Sequence, residues 1–279
     1  MPGTRAGGNI LRLIMLGTGM AMVTKCYNTC FVLADHTGSF MVDGGGGNGI
    51  FRQAEAAGVK IAEIRDFFLT HKHTDHILGM IWVLRMVTER LHAGWVTGEY
   101  RFYGHEEVIR LLKSFAEGLF KPALLKQMEE NVRFITVEDG DTCRIMGRNV
   151  TFFDIGSAKA KQFGFTMELE AGGTERLTCC GDEPLKECGR RYAEGVRWLL
   201  HEAFCEDAQE AFFHAHEYFH STVKEACETA ERLGVKNLVL YHSEDVFLEE
   251  RKRRYLAEGR QYFSGGLYVP DDLEVIELN

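Results

Sequence analysis

Apolar positions along the chain fall into short runs separated by longer stretches of helical period. The runs Ile10–Leu16, Cys30–Leu33, Ser39–Val42 and Ile64–Thr70 have the length and side chains of buried strands. Asn131–Val137, Asn149–Ile155, Phe163–Glu170, Thr174–Cys180, Arg197–Ala203 and Lys236–Tyr241 continue the series, and a closing strand pair is expected near Gly266–Leu278. Helices are predicted over Ile50–Ala57, His76–His92, Glu106–Leu119, Thr222–Leu233 and Val246–Gly259. Thr222 and Glu225 have capping-box spacing, and Gly234 is placed to end that helix. The four glycines after Asp43 suggest a sharp strand-to-helix turn, and Gly172-Gly173 a tight hairpin. Strands and helices interleave with no composition break and no internal repeat. This predicts a single domain over 1–279 with sheets inside and helices outside.

Composition narrows the classes. Hydrophobic residues make up 45% of the 279 and charged residues 26%, the balance of an ordinary soluble globular chain. Asp and Glu number 41 against 32 Lys and Arg, a net charge of -9. That disfavours non-specific coating of nucleic acid or of acidic membranes, so no stable DNA binding is expected. No apolar run is long enough to span a bilayer, and the opening segment MPGTRAGGNILRLIMLGTGM reads as a first strand and not as a signal peptide. The eight cysteines include no CxxC pair, so they read as free thiols in a reducing compartment, and a cytoplasmic location is expected.

The chemistry concentrates in LTHKHTDH, where His71, His73 and His76 of the eleven histidines join Asp75 directly after an apolar run. At a turn, His71 and His73 can project together while Asp75 and His76 face a neighbouring point. Imidazole and carboxylate are the donor set of zinc, manganese and iron, and paired metals are a common hydrolytic arrangement.

The pattern HxHxDH after a strand resembles the metallo-β-lactamase superfamily, and the resemblance runs in order along nearly the whole chain. LGTG at Leu16–Gly19 is similar to that family's opening turn, and VDGG places Asp43 behind the metal loop. CCGDEP supplies Asp182 at the position of the carboxylate that bridges two metals, and LVLYH supplies His242 at the position of the last ligand. The resemblance implies an αββα sandwich, an α/β fold of two mixed sheets face to face with helices outside. It implies that His71 and His73 hold a first metal, that Asp75, His76 and His242 hold a second, and that Asp182 lies between them. One or two divalent ions are expected, zinc foremost, with manganese or iron as alternatives; no organic cofactor motif is present. Glu202 in LLHEAFC and His220 in FHSTVKEA are similar to motifs of the tRNase Z branch, which includes cyclic-phosphate phosphodiesterases. There the glutamate orients the histidine, and the histidine stabilises the reacting phosphate or protonates the leaving oxygen. Asp75, Glu202 and His220 are accordingly the expected catalytic residues.

The chain departs from that pattern in two places. FFDIGSAKAKQFGF lacks the family's further metal-binding histidine; Ser157 stands nearest its place, leaving the first metal to solvent or to another ligand such as Asp154. Ser157, Lys159 and Lys161 in this stretch are candidate substrate-binding residues, since a lysine can hold an anion over the metals. The interval from Phe165 to Asp182 has room only for a hairpin, where tRNase Z enzymes insert a basic tRNA-binding arm. The basic run Arg251-Lys252-Arg253-Arg254 reads as a solvated helix face. His201 is expected to point away from Glu202's side of the strand, and His36, His92, His105, His214 and His216 to lie at the surface. The function that results is a metal-dependent hydrolase of small or RNA-derived phosphodiesters acting through a metal-activated hydroxide, with homodimerisation expected from the resemblance. The alternatives are a lactone, thioester or sulfate-ester hydrolase on the same fold, and a non-catalytic metal- or nucleotide-binding protein.

Overall fold

The structure, a computed structural model, describes residues 10–278, so the part of the N-terminal reading that falls on residues 1–9 lies outside it. A first sheet is built from β1 (Arg12–Gly17), β2 (Cys30–Asp35), β3 (Gly38–Val42), β4 (Asp66–Phe68), β5 (Tyr100–Gly104) and β6 (Val132–Thr136). A second is built from β7 (Thr142–Ile145), β8 (Arg148–Asp154), β9 (Phe163–Glu168), β10 (Arg176–Cys179), β11 (Trp198–Glu202), β12 (Asn237–Tyr241) and β13 (Gly266–Tyr268). The last strand, β14 (Val275–Glu277), returns to the first sheet, giving the orders β14-β1-β2-β3-β4-β5-β6 and β13-β12-β11-β10-β9-β8-β7. The expected closing strand pair is therefore not a pair: β13 adds to β12 and β14 adds to β1, one in each sheet.

Side-chain alternation explains the layers. In β1, Leu13 and Met15 join Phe31, Phe40, Phe68, Phe165, Leu200 and Val239 in a core between the sheets. Ile14 and Leu16 point the other way, into a second core with Met80, Leu84 and Leu112. That outer core lies under α1 (Gly49–Ala56), α2 (Thr74–His92), α3 (Glu106–Leu119) and α4 (Pro122–Asn131). Beyond the short α5 (Arg190–Ala193) and α6 (Glu210–Phe213), the second sheet's outer face packs Leu199, Leu238 and Leu240 against α7 (Val223–Arg232) and α8 (Leu248–Gly259). Strands buried on both faces read as continuous apolar runs, which is why so many were legible. The result is the expected αββα sandwich. β5, α4 and β7 lie in stretches the sequence reading left unassigned; β5 breaks its apolar run with Arg101, and α4 opens at Pro122 with weak periodicity. No described helix is long and apolar enough to cross a membrane.

Several strands run parallel and end at the same edge. β3 pairs parallel to β4, β10 to β11, and β11 to β12 in the register that sets Glu202 beside Tyr241. The residues just beyond those ends, Asp43, His71, Asp182 and His242, are thereby collected, as ligand-binding residues are in open α/β sheets. The start of α2 is brought in by a glycine contact. The Gly44 N–H donates to the His76 carbonyl at 3.0 Å and the Gly79 N–H to the Gly45 carbonyl at 2.8 Å. A Cβ on Gly79 would stand 1.7 Å from the Gly44 oxygen. Gly79→Ala is expected to cost about 3 kcal/mol or more, because backbone must move on both sides. The midpoint of urea unfolding would show this, and an unshifted midpoint would refute the close approach.

Candidate functional site

Each candidate ligand is held from behind. His73 caps α2, so Asp75 and His76 occupy the helix's first turn. Asp43 adopts a left-handed φ of 55° directly after β3. Its Oδ1 accepts the Thr70 N–H at 2.9 Å, and its Oδ2 accepts the Thr70 hydroxyl at 2.7 Å and His76 Nδ1–H at 2.8 Å. The Thr29 hydroxyl donates to the Gly19 carbonyl at 3.0 Å and so accepts from His242 Nδ1 at 3.1 Å. In His76 and His242 the proton is thus fixed on Nδ1 and the Nε2 lone pair turned inward. His71 Nδ1 lies 2.9 Å from the Thr70 hydroxyl oxygen and 2.7 Å from the Gln162 side-chain nitrogen, and its Nε2 faces inward as well.

The inward atoms converge on Asp182. Its Oδ2 lies 3.5 Å from His71 Nε2, 3.6 Å from His76 Nε2 and 3.6 Å from His242 Nε2. Asp75 Oδ2 lies 3.2 Å from His76 Nε2, and His73 Nδ1 lies 2.8 Å from His71 Nε2. The donor atoms form two groups, His71–His73–Asp182 and Asp75–His76–His242, each within 4.8 Å. Ligands about 2.1 Å from a tetrahedral ion stand roughly 3.4 Å apart, so most of these spacings suit shared coordination. His76 Nε2 is buried with no hydrogen-bond partner, an orphan that a divalent cation would satisfy. The residues fit divalent metal ions.

Electrostatics favours the metal-binding protonation state at each candidate ligand except His76. Burial lowers the proton affinity of His71, His73 and His242, the last to about 3, which keeps these imidazoles neutral. Burial would raise Asp182, but His71, His76 and His242 outweigh it and hold the carboxyl well below its ordinary range. Burial likewise opposes ionisation of Asp75, and His76 overcomes it. His76 itself is pushed up despite its burial, because Asp75 and Asp43 flank it on both sides.

Glu202 and His220 adjoin this cluster. Glu202 Oε1 accepts from both the Ser221 N–H and hydroxyl at 2.6 Å, and its Oε2 lies 3.5 Å from His220 Nδ1. The His220 ring centroid stands 5.2 Å from that of His242 and 4.9 Å from that of Phe204. The capping box predicted at Thr222 and Glu225 is present and fixes the helix start that follows His220. His201 turns its ring elsewhere, its Nε2 accepting from the Leu185 N–H at 3.1 Å. Of the three candidate substrate-binding residues, Lys159 reaches the cluster, its ammonium 3.3 Å from His220 Nε2. The Ser157 hydroxyl is engaged by Glu183, and Lys161 is exposed with its ammonium 5.4 Å from the Phe163 ring centroid.

Several expectations need correction. Asp154 is not at the donor cluster; its Oδ1 accepts from the Gly156 N–H at 2.8 Å and shapes the loop. The residue that does reach the cluster is Gln162, fully buried, whose amide donates to Asp182 Oδ1. His105 is buried at the cap of α3 against Phe163, not exposed, and burial lowers its pKa to about 4. His36, His92, His214 and His216 are at the surface as expected. Arg251 is not part of a solvated face. It is 1% exposed and donates to Ser243 Oγ at 2.8 Å, Thr18 Oγ1 at 3.1 Å and the Pro270 carbonyl at 3.0 Å, bracing the loops beside His242. Lone polar residues such as Gln162, Thr29 and Arg251 carry no spacing signal that would have found them.

The Anti-Pycsar protein Apyc1 family matches this chain over residues 11–262. The chain belongs to that family. Ribonuclease Z of Thermococcus sibiricus is 25% identical over 310 residues, covering 96% of this chain and 97% of the relative. The solved metallo-β-lactamase fold protein YhfI from Bacillus subtilis superposes with a TM-score of 0.77 at 15% identity, covering 96% of this chain and all of the other. The short form of human tRNase Z superposes with a TM-score of 0.73 at 21% identity, covering 96% and 99%. The fold is the metallo-β-lactamase fold, as the HxHxDH signature led us to expect.

Thr29→Val keeps the side chain's shape but removes the oxygen that receives His242 Nδ1–H. Metal affinity is expected to fall roughly ten- to hundredfold, measured by competition with a chelator. Unaltered affinity would show that Thr29 does not orient His242.

Proposed function

We propose that the protein is a metal-dependent phosphodiesterase of the tRNase Z-like branch, acting on small phosphodiesters or RNA ends. In this reading His71, His73 and Asp182 hold one divalent ion and Asp75, His76 and His242 a second, with Asp182 shared and zinc the leading candidate. Bound ions would supply Lewis acidity toward phosphoryl oxygens and a water-derived nucleophile. The observation that carries the reading is the Glu202–His220 pair at the rim of the donor cluster. Ser221 occupies one carboxylate oxygen of Glu202, and the other faces His220 Nδ1. The imidazole thus turns Nδ1 toward the carboxylate and Nε2 away from it, where the Lys159 ammonium lies 3.3 Å off in the resting protein. As an imidazolium it gives its proton to the departing oxygen, whose alkoxide is a poor leaving group. Asp75, buried and ionised beside His76, is placed to orient the attacking water.

The hairpin of β9 and β10 that fills the interval before Asp182 favours small substrates over a gripped tRNA. Relatives named Ribonuclease Z support phosphodiester chemistry along almost the full length. The same reading carries a cytoplasmic homodimer, which sedimentation of the purified protein would test.

Metal-loaded protein is expected to cleave bis(p-nitrophenyl) phosphate or cyclic nucleotides, and lactones and thioesters poorly. His220→Ala should lower turnover of esters with alkoxide leaving groups about 10²- to 10⁴-fold, and far less with p-nitrophenolate, which needs no proton. Turnover of lactones or thioesters alone, or an equal loss on both phosphodiester types, would contradict the assignment.

A further inference from the structure

The loop that lacks a histidine is a built structure. The Ile155 N–H donates to the Gln162 carbonyl at 3.1 Å, closing the loop at its base. Within it the Ser157 hydroxyl donates to Glu183 Oε1, and the Ala158 N–H donates to Glu183 Oε2 at 3.2 Å. Ser157 Oγ in turn accepts from the Lys159 and Ala160 N–H groups at 3.2 Å each. The Lys186 ammonium donates to the Gly156 carbonyl at 2.6 Å and to Glu183 Oε2 at 3.1 Å. Glu183 is 1% exposed and follows Asp182 directly, so one strand end positions both the shared carboxylate and this loop. What the loop presents is Lys159. Its ammonium lies 3.3 Å from His220 Nε2, and among the described residues no carboxylate pairs with it.

We propose that Lys159 grips a non-bridging oxygen of a phosphate-bearing ligand, and that Glu183 is the positioning residue that clamps it there. The proposal rests on the phosphodiesterase reading above. An ammonium has three N–H donors and no acceptor, and His220 Nε2 uses one of them in the resting protein. An incoming phosphoryl oxygen is a charged acceptor and outcompetes a neutral imidazole for that donor. Ligand binding therefore moves the ammonium from Nε2 to the phosphate and leaves the Nε2 lone pair free to take up from solvent the proton that it passes to the leaving oxygen. Where a third histidine would have added a ligand to the first metal, this chain places a fixed positive charge. Lys161, exposed and turned toward Phe163, takes no part.

The test uses the metal-loaded full chain. Calorimetry with inorganic phosphate should show at least tenfold weaker binding in Lys159→Met, with partial recovery in Lys159→Arg. Lys161→Met should match the unaltered protein, and Glu183→Gln should fall between, with metal content the same in all. On bis(p-nitrophenyl) phosphate, Lys159→Met should raise KM at least tenfold with a smaller change in kcat. Unchanged phosphate affinity in Lys159→Met would overturn the proposal, as would equal losses in Lys161→Met. Protein that hydrolyses no phosphodiester would overturn the parent reading instead, and the phosphate titration would still decide the role of Lys159.

Discussion

One carboxylate oxygen, Oδ2 of Asp182, faces three imidazole nitrogens deep in the protein. Taking a carboxylate out of water is costly unless opposite charge or hydrogen bonds replace the lost hydration. Here the second oxygen receives the Gln162 amide, and the first is left to the imidazoles and to whatever cation they share. Burial keeps His71 and His242 neutral, so of the three imidazoles only His76, raised by Asp75 and Asp43, brings charge to Asp182, against three buried carboxylates. A divalent cation resolves the imbalance, and the site is most coherent as a cage designed around one.

The cage has walls of uneven kind. His76 and His242 each donate a hydrogen bond to a group behind them, one to a carboxylate and one to a hydroxyl that is itself spent on a carbonyl. These partners come from the first sheet and the loop after β1, while His242 and Asp182 come from the second. The positions of the candidate metal donors therefore depend on the packing of one sheet against the other. The tilted and edge-on phenylalanines between the sheets, Phe40, Phe68, Phe152 and Phe165, fix that packing without any polar atom.

Much of this was legible in sequence, and unevenly so. His71, His73, Asp75 and His76 announced themselves because a strand end and a helix start place near neighbours around one point. Asp182, Glu202, His220 and His242 are lone residues, and only their resemblance to family motifs and their order marked them. Gln162 and Arg251 were missed for a physical reason: their partners lie on other elements that only the folded chain brings together. Arg251 sits in a basic run whose other members face solvent or a surface carboxylate, and composition cannot say which of four cations turns inward. His105 was misplaced because a helix cap usually faces water, whereas here Phe163 covers it.

β14 lies against β1, and just before it Asp272 accepts from the Thr18 N–H and hydroxyl, the Tyr27 N–H and the Gln53 amide. These contacts join segments separated by more than two hundred residues, so they close a very long loop and form only after a large entropy loss. The turn they anchor leads to Gly19 and Thr29, the relay behind His242. A nascent chain can thus fold its HxHxDH segment early yet lack a finished site until its final strand has docked. Competence arrives in one late, cooperative step and not by degrees.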